Sequence, residues 1–128
     1  MTKEISSIIS ARKLPFSEAV RVGDWIFVSG QIGSRDHKTY DDIITGTEPQ
    51  LRQCFENMKT VLASLDSSLE DVVKMTVFLT KAEYFAKLKE VMPQYFPQDK
   101  PALSTIVADL VNPNLLLEIE CTAYSPRS

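Results

Sequence analysis

One amphipathic segment, residues 47–65, limits the folds that are open to this chain. Apolar side chains recur there at helical spacing: Leu51, Cys54, Phe55, Met58, Val61, Leu62 and Leu65. Charged and amide side chains occupy the opposite face, so the segment predicts a helix that packs one face against another layer. Thr47 is the predicted N-cap residue, and Gln50 completes a capping box with it.

Strand patterns lie on both sides of this helix. Alternating or apolar runs predict strands at about 17–22, 25–32, 72–80, 102–110 and 115–124, and a further N-terminal strand at 5–9. A second capping box, Thr80 to Glu83, opens a second helix that Pro93 should distort or shorten. The order β-β-α-β-α-β-β predicts one α+β domain over residues 1–128, with one mixed sheet and both helices on one face.

The strand at 25–32 begins with four consecutive apolar residues, Trp-Ile-Phe-Val. A strand that is apolar on both sides is normally covered on both sides. The two helices cover one face of the sheet, and nothing within the chain is left to cover the other. We therefore expect a homo-oligomer in which copies of the chain pack their sheet faces together.

The composition excludes several classes of protein. The apolar fraction is 44%, the charged fraction is 24% and the net charge is −3. Lys and Arg are scattered, which argues against a nucleic-acid partner. The N-terminus lacks the pattern of a signal peptide, and no apolar run is long enough for a membrane span. Cys54 and Cys121 form no paired motif, which predicts a reduced, cytoplasmic protein.

Few residues in the chain are of types that could bind a metal ion or a phosphate group or act as a nucleophile. His37 is the one histidine and has no spaced ligand set around it, so no metal site is predicted. Cys54 and Cys121 lie within apolar patterns and are predicted to be small buried hydrophobes. Gly30 ends an apolar strand without a phosphate-binding motif, which indicates either a bulge or a closely approaching ligand.

Two glutamates, Glu118 and Glu120, share one face of the last strand with Thr122. The simpler interpretation is that this face is solvated. The same face is the one expected to meet another subunit, however, and a partly desolvated glutamate there could hold a water molecule or shuttle a proton. Both interpretations are open on the pattern alone.

Four stretches together resemble the Rid (reactive intermediate deaminase) family, also called YjgF/L-PSP: LPFSEAVRVGDWIFVSGQIG, VVKMTVFLT, KPALSTIV and LLLEIECTAY. The similarity runs from about residue 10 to residue 124. It implies a chorismate-mutase-like α+β fold and a homotrimer with small-molecule clefts between neighbouring subunits. It also implies hydrolysis of reactive enamines and imines without a cofactor.

The resemblance assigns roles to individual residues. Glu118 falls on the glutamate that positions the attacking water, and it is the implied catalytic residue. The implied substrate-binding residues are Phe16, Ser29, Gly30, Gln31, Leu103, Ser104 and Thr105, and Glu120 and Phe85 are further candidates. Phe16 stands in place of the family's tyrosine, Thr105 in place of its cysteine and Leu103 in place of its arginine.

The leucine at position 103 leads to two hypotheses about the function. A guanidinium binds a carboxylate through two charge-assisted hydrogen bonds, and leucine offers none. The first hypothesis is a deaminase whose substrate preference has moved away from the family's usual α-imino acids. The second is a non-catalytic trimer that binds a metabolite or acts as a chaperone-like scaffold. The net negative charge argues against an endoribonuclease, because RNA is itself negatively charged.

Overall fold

The structure is a computed structural model, and it describes residues 2–8, 14–36 and 39–127. The strands are β1 (Lys3–Ile5), β2 (Ala19–Val22), β3 (Trp25–Ile32), β4 (Val72–Leu79), β5 (Ala102–Val107) and β6 (Leu117–Tyr124). The helices are α1 (Thr47–Ala63) and α2 (Phe85–Tyr95), and short 3-10 turns precede β4 and α2. This is the element order that the sequence predicts.

All six strands form one mixed sheet in the order β1-β2-β3-β6-β4-β5. The β4–β5 pair is parallel, and the other neighbours are antiparallel. The last strand, β6, therefore lies in the middle of the sheet between β3 and β4. Side chains near the start of β6 are consequently flanked by two other strands.

The core lies between one face of the sheet and the two helices, as predicted. Ile26, Met75 and Ile119 from three central strands are fully buried with Phe55 of α1 and Leu88 of α2. Burial alternates along β4 and β6, because successive strand residues point to opposite faces. The apolar residues of α1 predicted from the helical spacing are all buried.

Much of the opposite face of the sheet is exposed within the described residues of the single chain, and we call it the open face. It carries Trp25, Phe27 and Tyr124, whose side chains are 45%, 52% and 43% exposed. The rings of Trp25 and Tyr124 lie 4.9 Å apart, centroid to centroid. The predicted apolar character of both sides of β3 is thus confirmed. Apolar area of this kind is typical of a surface that meets another protein.

Both predicted capping boxes are wrong. Helix α1 begins after Gly46, whose φ of 103° suits glycine, and Thr47 is its first residue. The Gln50 side chain instead donates to the carbonyls of Ile44 and Asn114 and accepts from the Leu116 N–H, each at 2.9 Å. These backbone groups, which lie in connecting segments, gain the partners that backbone polar groups require.

The Thr80 hydroxyl likewise turns away from the second helix and donates to the Leu116 carbonyl. The turn Ala82–Tyr84 separates it from α2, which continues two residues past Pro93. Two of the predicted strands were too long: β5 ends at Val107, where its parallel neighbour β4 also ends, and β6 begins at Leu117. The N-terminal strand occupies Lys3–Ile5, whereas Ile9 lies outside the described residues.

Candidate functional site

A β-bulge interrupts the pairing of β3 with β6. Val28 pairs with Cys121 and Gln31 pairs with Ile119, so Ser29 and Gly30 together oppose Glu120. A bulge of this kind bends the strand and redirects the side chains beside it. The sequence left two interpretations of Gly30 open, a bulge or a closely approaching ligand, and the bulge is present in the single chain.

The carboxylate of Glu118 packs directly on Gly30. A Cβ atom at position 30 would overlap Oε2 of Glu118 and would lie 2.8 Å from its Cδ atom. Glu118 itself pairs with Ile32 of β3 and Phe78 of β4, and it is half-buried on the open face. The absence of a side chain at Gly30 thus makes room for this carboxylate, and the bulge fixes its place.

Ser29 connects the bulge to the segment that contains Phe16. Its hydroxyl donates to the Ser17 carbonyl at 2.6 Å, and its N–H donates to the Glu18 carbonyl at 2.8 Å. Phe16, one residue earlier, is 50% exposed. The structure therefore places Gly30 against Glu118 and connects the neighbouring Ser29 to the segment that contains Phe16.

Gln31 has a supporting position. Its side chain is 1% exposed and donates to the Ser29 carbonyl at 2.9 Å. Its own carbonyl accepts from the Cys54 thiol at 3.3 Å. In the single chain Gln31 therefore stabilises the bulge from the core side of the sheet.

The predicted residues on β5 divide between the two faces of the sheet. Leu103 pairs with Met75 and Thr105 pairs with Val77, and both of these β4 partners point into the core. Leu103 and Thr105 therefore belong to the helix side, where Leu103 packs against the core and Thr105 is exposed at the edge. Ser104 alternates with them and lies on the open face. One chain thus places Leu103 and Thr105 on the opposite side of the sheet from Glu118.

The two remaining candidate site residues are Glu120 and Phe85. Glu120 is exposed on the open face, opposite the bulge. Phe85 begins α2 and packs partly against the core, and the Lys89 ammonium lies 5.2 Å from the centre of its ring.

The structure limits which cations could replace the arginine that is absent at position 103. Arg21 is buried and donates to the carbonyls of Ser125 and Leu65 at 2.7 Å each, so its role is structural. Arg35 pairs with Asp42 on the surface. Lys74 donates to the Ser104 hydroxyl at 2.7 Å, which places a cation beside a predicted site residue on the open face. Arg12 lies outside the described residues.

Neither cysteine has the environment of a nucleophile. Cys54 is fully buried in the core. Burial, reinforced by the charge of nearby Glu120, raises the pKa of the Cys121 thiol to about 12. Among the residues that the structure describes, no three His, Cys, Asp or Glu side chains are grouped as a metal site would require. His37 lies outside this part of the chain.

Sequence reasoning missed one buried carboxyl group. Glu18 is 4% exposed, and neither carboxylate oxygen has a hydrogen-bond partner within the described ranges 2–8, 14–36 and 39–127. No local signal in the sequence marks it, because Glu18 directly precedes Ala19, whose side chain is in the core, and strand alternation by itself directs Glu18 away from that core. Buried acidic side chains usually have a partner, so this one needs a physical explanation.

The family model described as Endoribonuclease L-PSP matches residues 7–125 of the chain. The chain belongs to the L-PSP family. A RutC family protein of Pyrococcus horikoshii is 38% identical over 110 residues, which cover 86% of each chain. A Dermatophagoides farinae protein named 2-iminobutanoate/2-iminopropanoate deaminase is 34% identical over 107 residues, covering 83% of this chain and 82% of that one.

The fold of this L-PSP family member agrees with the comparison of structures. A crystal structure of a putative endoribonuclease from Thermotoga maritima superposes with a TM-score of 0.87 at 34% identity. The match covers 98% of this chain and all of the other. The α+β fold with one mixed sheet and two helices, implied by the resemblance, is therefore confirmed. Within the described residues, no helix has the length and apolarity to cross a membrane.

Proposed function

We propose that this L-PSP family protein hydrolyses a reactive enamine, imine or related small metabolite in a cleft between subunits, without a cofactor. The observation that carries the proposal is the Glu118 carboxylate held on the Gly30 bulge. A half-buried carboxylate at a fixed position can orient a water molecule and accept its proton. The relative named as an iminobutanoate/iminopropanoate deaminase supports this class of reaction.

In the proposed reaction Glu118 acts as a general base. The carboxylate orients a water molecule toward the C=N carbon and accepts its proton as the C–O bond forms. The nitrogen takes up a proton, the C–N bond breaks, and ammonia leaves as the carbonyl product forms. Backbone N–H groups near Gly30 and Thr105 stabilise the charge that develops, as fixed donors do in other hydrolytic sites.

The proposed assembly is a homotrimer. The exposed aromatic side chains of the open face support burial against another copy. The separation of Leu103 and Thr105 from Glu118 supports a cleft to which two copies contribute. Light scattering at micromolar concentration should give the mass of three chains, and a stable monomer would contradict this part of the proposal.

The proposed substrate differs from α-imino acids. Leu103 offers no hydrogen bond to a carboxylate, and an unpaired carboxylate in a dry cleft is strongly disfavoured. Phe16 lacks the hydroxyl group of the tyrosine that the family resemblance implies at this position. Both replacements make the cleft more apolar, so we expect a preference for imines that lack a carboxylate.

The direct test generates imines in solution with an amino-acid oxidase, from alanine, leucine and larger amino acids, and traps the remaining imine with semicarbazide. Imines that lack the carboxylate are generated in parallel from primary amines with an amine oxidase. We expect wild type to accelerate the loss of the second group more than the first, Leu103→Arg to extend activity to the first, and Glu118→Gln to abolish both. Hydrolysis that is unchanged in Glu118→Gln would overturn the proposed mechanism.

The second candidate is a non-catalytic trimer that binds a metabolite or acts as a chaperone-like scaffold. Leucine at position 103 favours it, because the implied cation of the substrate site is absent. Ligand binding by wild type with no hydrolysis of any imine would establish this alternative. The net charge of −3 weighs against RNA as a substrate.

We propose that the protein is cytoplasmic. Cys54 and Cys121 are free and buried, which suits a reducing compartment. Other relatives are named as mitochondrial proteins of yeasts, so fractionation of cells that express a tagged chain would decide between the two compartments.

A further inference from the structure

Glu18 carries a buried carboxyl group that the proposed reaction does not use. Both of its oxygens are shielded from solvent and have no hydrogen-bond donor within residues 2–8, 14–36 and 39–127. A buried carboxylate without donors is strongly destabilising, and removing its partner from a buried pair is costly for the same reason. The missing partner therefore has to come from outside the described part of the chain. Because solvent does not reach either oxygen, bulk water is not that partner.

The sheet register places Glu18 beside the bulge. The hydrogen bond from the Ser29 N–H to the Glu18 carbonyl extends the β2–β3 ladder one residue beyond the Ala19–Val28 pair. The Ala19 side chain is in the core, so the alternation of strand residues directs Glu18 toward the open face. This is also the face that carries Glu118.

Glu18 and Glu118 therefore approach the Ser29–Gly30 bulge from opposite sides. Strand β3 alone lies between β2 and β6. Neighbouring strands are about 4.8 Å apart, so the two carboxyl-bearing strands are separated by roughly 10 Å. That spacing allows one small molecule over Gly30 to meet both carboxyl groups.

We propose that Glu18 is a ligand-binding residue whose carboxylate pairs with a protonated or N–H-bearing nitrogen of the substrate. This inference rests on the proposed function, in which the substrate carries a C=N nitrogen, and it narrows the substrate class to imines and enamines that bind as cations. Glu118 acts on the carbon side of the same group. Since the Glu18 oxygens are shielded in the single chain, binding includes a local displacement of the groups that cover them.

The test compares two ligands of similar shape and different charge. Binding of butylamine, which is a cation at neutral pH, and of neutral 1-butanol is measured by calorimetry. Wild type should bind the amine about tenfold more tightly or better, as expected for a charge-assisted hydrogen bond. Glu18→Gln should bind both ligands alike. Glu70→Gln, at an exposed position on the turn Leu69–Asp71, removes the same charge and should retain the preference.

Two outcomes overturn the inference: wild type without a preference for the amine, or Glu18→Gln with the preference unchanged. A second measurement does not require the variant to fold. In wild type labelled with 13C at the glutamate carboxyls, butylamine should shift one resonance that 1-butanol leaves in place. If no resonance shifts with butylamine, the amine does not pair with Glu18. If a resonance instead shifts when the oligomer is diluted, a neighbouring copy pairs with Glu18. Either result overturns the inference.

The result of the amine-binding test can be distinguished from the result of the imine-hydrolysis test. If no imine is hydrolysed but the amine preference depends on Glu18, the deaminase proposal fails and the binding role stands. If imines are hydrolysed and Glu18→Gln keeps the preference for the amine, the role of Glu18 alone fails.

Discussion

Leu103 and Glu118 lie on opposite faces of the same sheet, on strands that are separated only by β4. One chain cannot bring both side chains to a single small ligand. Two copies can do so, if the exposed edge of β5 in one copy meets the open face of another. The proposed function therefore depends on assembly as well as on individual residues.

A first prediction is that two inactive variants restore one another. Glu118→Gln disables one half of the cleft, and Thr105→Asp, at an exposed position, disables the other. Co-refolding the two proteins should give mixed trimers in which some clefts combine two intact halves, and imine hydrolysis should partly return. A chain that carries both substitutions, mixed with either single variant, is the control and should stay inactive. No recovery in the first mixture would show that both halves come from one chain.

A second prediction concerns the contact between Gly30 and Glu118. Gly30→Ala introduces a methyl group where the Glu118 carboxylate lies, and it should lower the free energy of unfolding by about 1–3 kcal/mol, a typical cost of overpacking. The same substitution in a Glu118→Ala background should cost much less, because the overlapping atoms are gone. Urea unfolding of the four proteins measures this coupling. Equal costs in both backgrounds would mean that the strain lies elsewhere.

A third prediction concerns Gln50. Gln50→Ala leaves the Ile44 and Asn114 carbonyls and the Leu116 N–H without their partner. We expect a loss of about 2–4 kcal/mol in the free energy of unfolding, since such groups cost about 1–3 kcal/mol each when buried. Gln94→Ala, on the exposed side of α2, is the matched control and should change it by less than about 0.5 kcal/mol. Similar losses for the two variants would contradict the bridging role.

A fourth prediction follows from the Cys121 thiol, whose pKa burial raises from 9.0 to about 12. Because the folded state holds the proton more tightly than the unfolded state, this contribution to stability is complete below pH 9 and is lost as the pH rises from 9 toward 12. The urea midpoint of wild type should therefore fall more steeply over that range than that of Cys121→Val. Parallel curves would show that Cys121 is not the responsible group.

The same thiol should react slowly with iodoacetamide at pH 8 in the folded protein and rapidly in urea. Mass spectrometry of tryptic peptides separates Cys121 from Cys54, which is also buried. Rapid modification of Cys121 in the folded protein would contradict the environment described above.

The sequence predicts the order of elements and the core well, because hydrophobic periodicity and burial have the same physical origin. The apolar spacing of α1 and the alternation on β6 are both reproduced in the structure. The ends of the elements are less predictable. Gln50 and Thr80 match capping motifs locally, but backbone groups near Leu116 compete for their side chains, and that contact depends on the tertiary fold.

The candidate site is predictable only in part for the same reason. Gly30 and Glu118 are each conspicuous in the sequence, but their contact depends on a bulge between strands that are far apart in the chain. The unpartnered carboxyl group of Glu18 depends on burial, which local spacing does not report. The faces of Leu103 and Thr105 depend on the register of β5 against β4.

The overlap at Gly30 and the exposure of β5 give the two halves of the cleft very different tolerance to sequence change. Almost any replacement at Gly30 collides with the Glu118 carboxylate, so that half can change only through coordinated substitutions. Residues 104–107 of β5 are exposed in the single chain, and their side chains can be exchanged with little effect on the core. If the proposed function holds, a protein built in this way can acquire new substrates along one edge strand while the position of the Glu118 carboxylate stays constant.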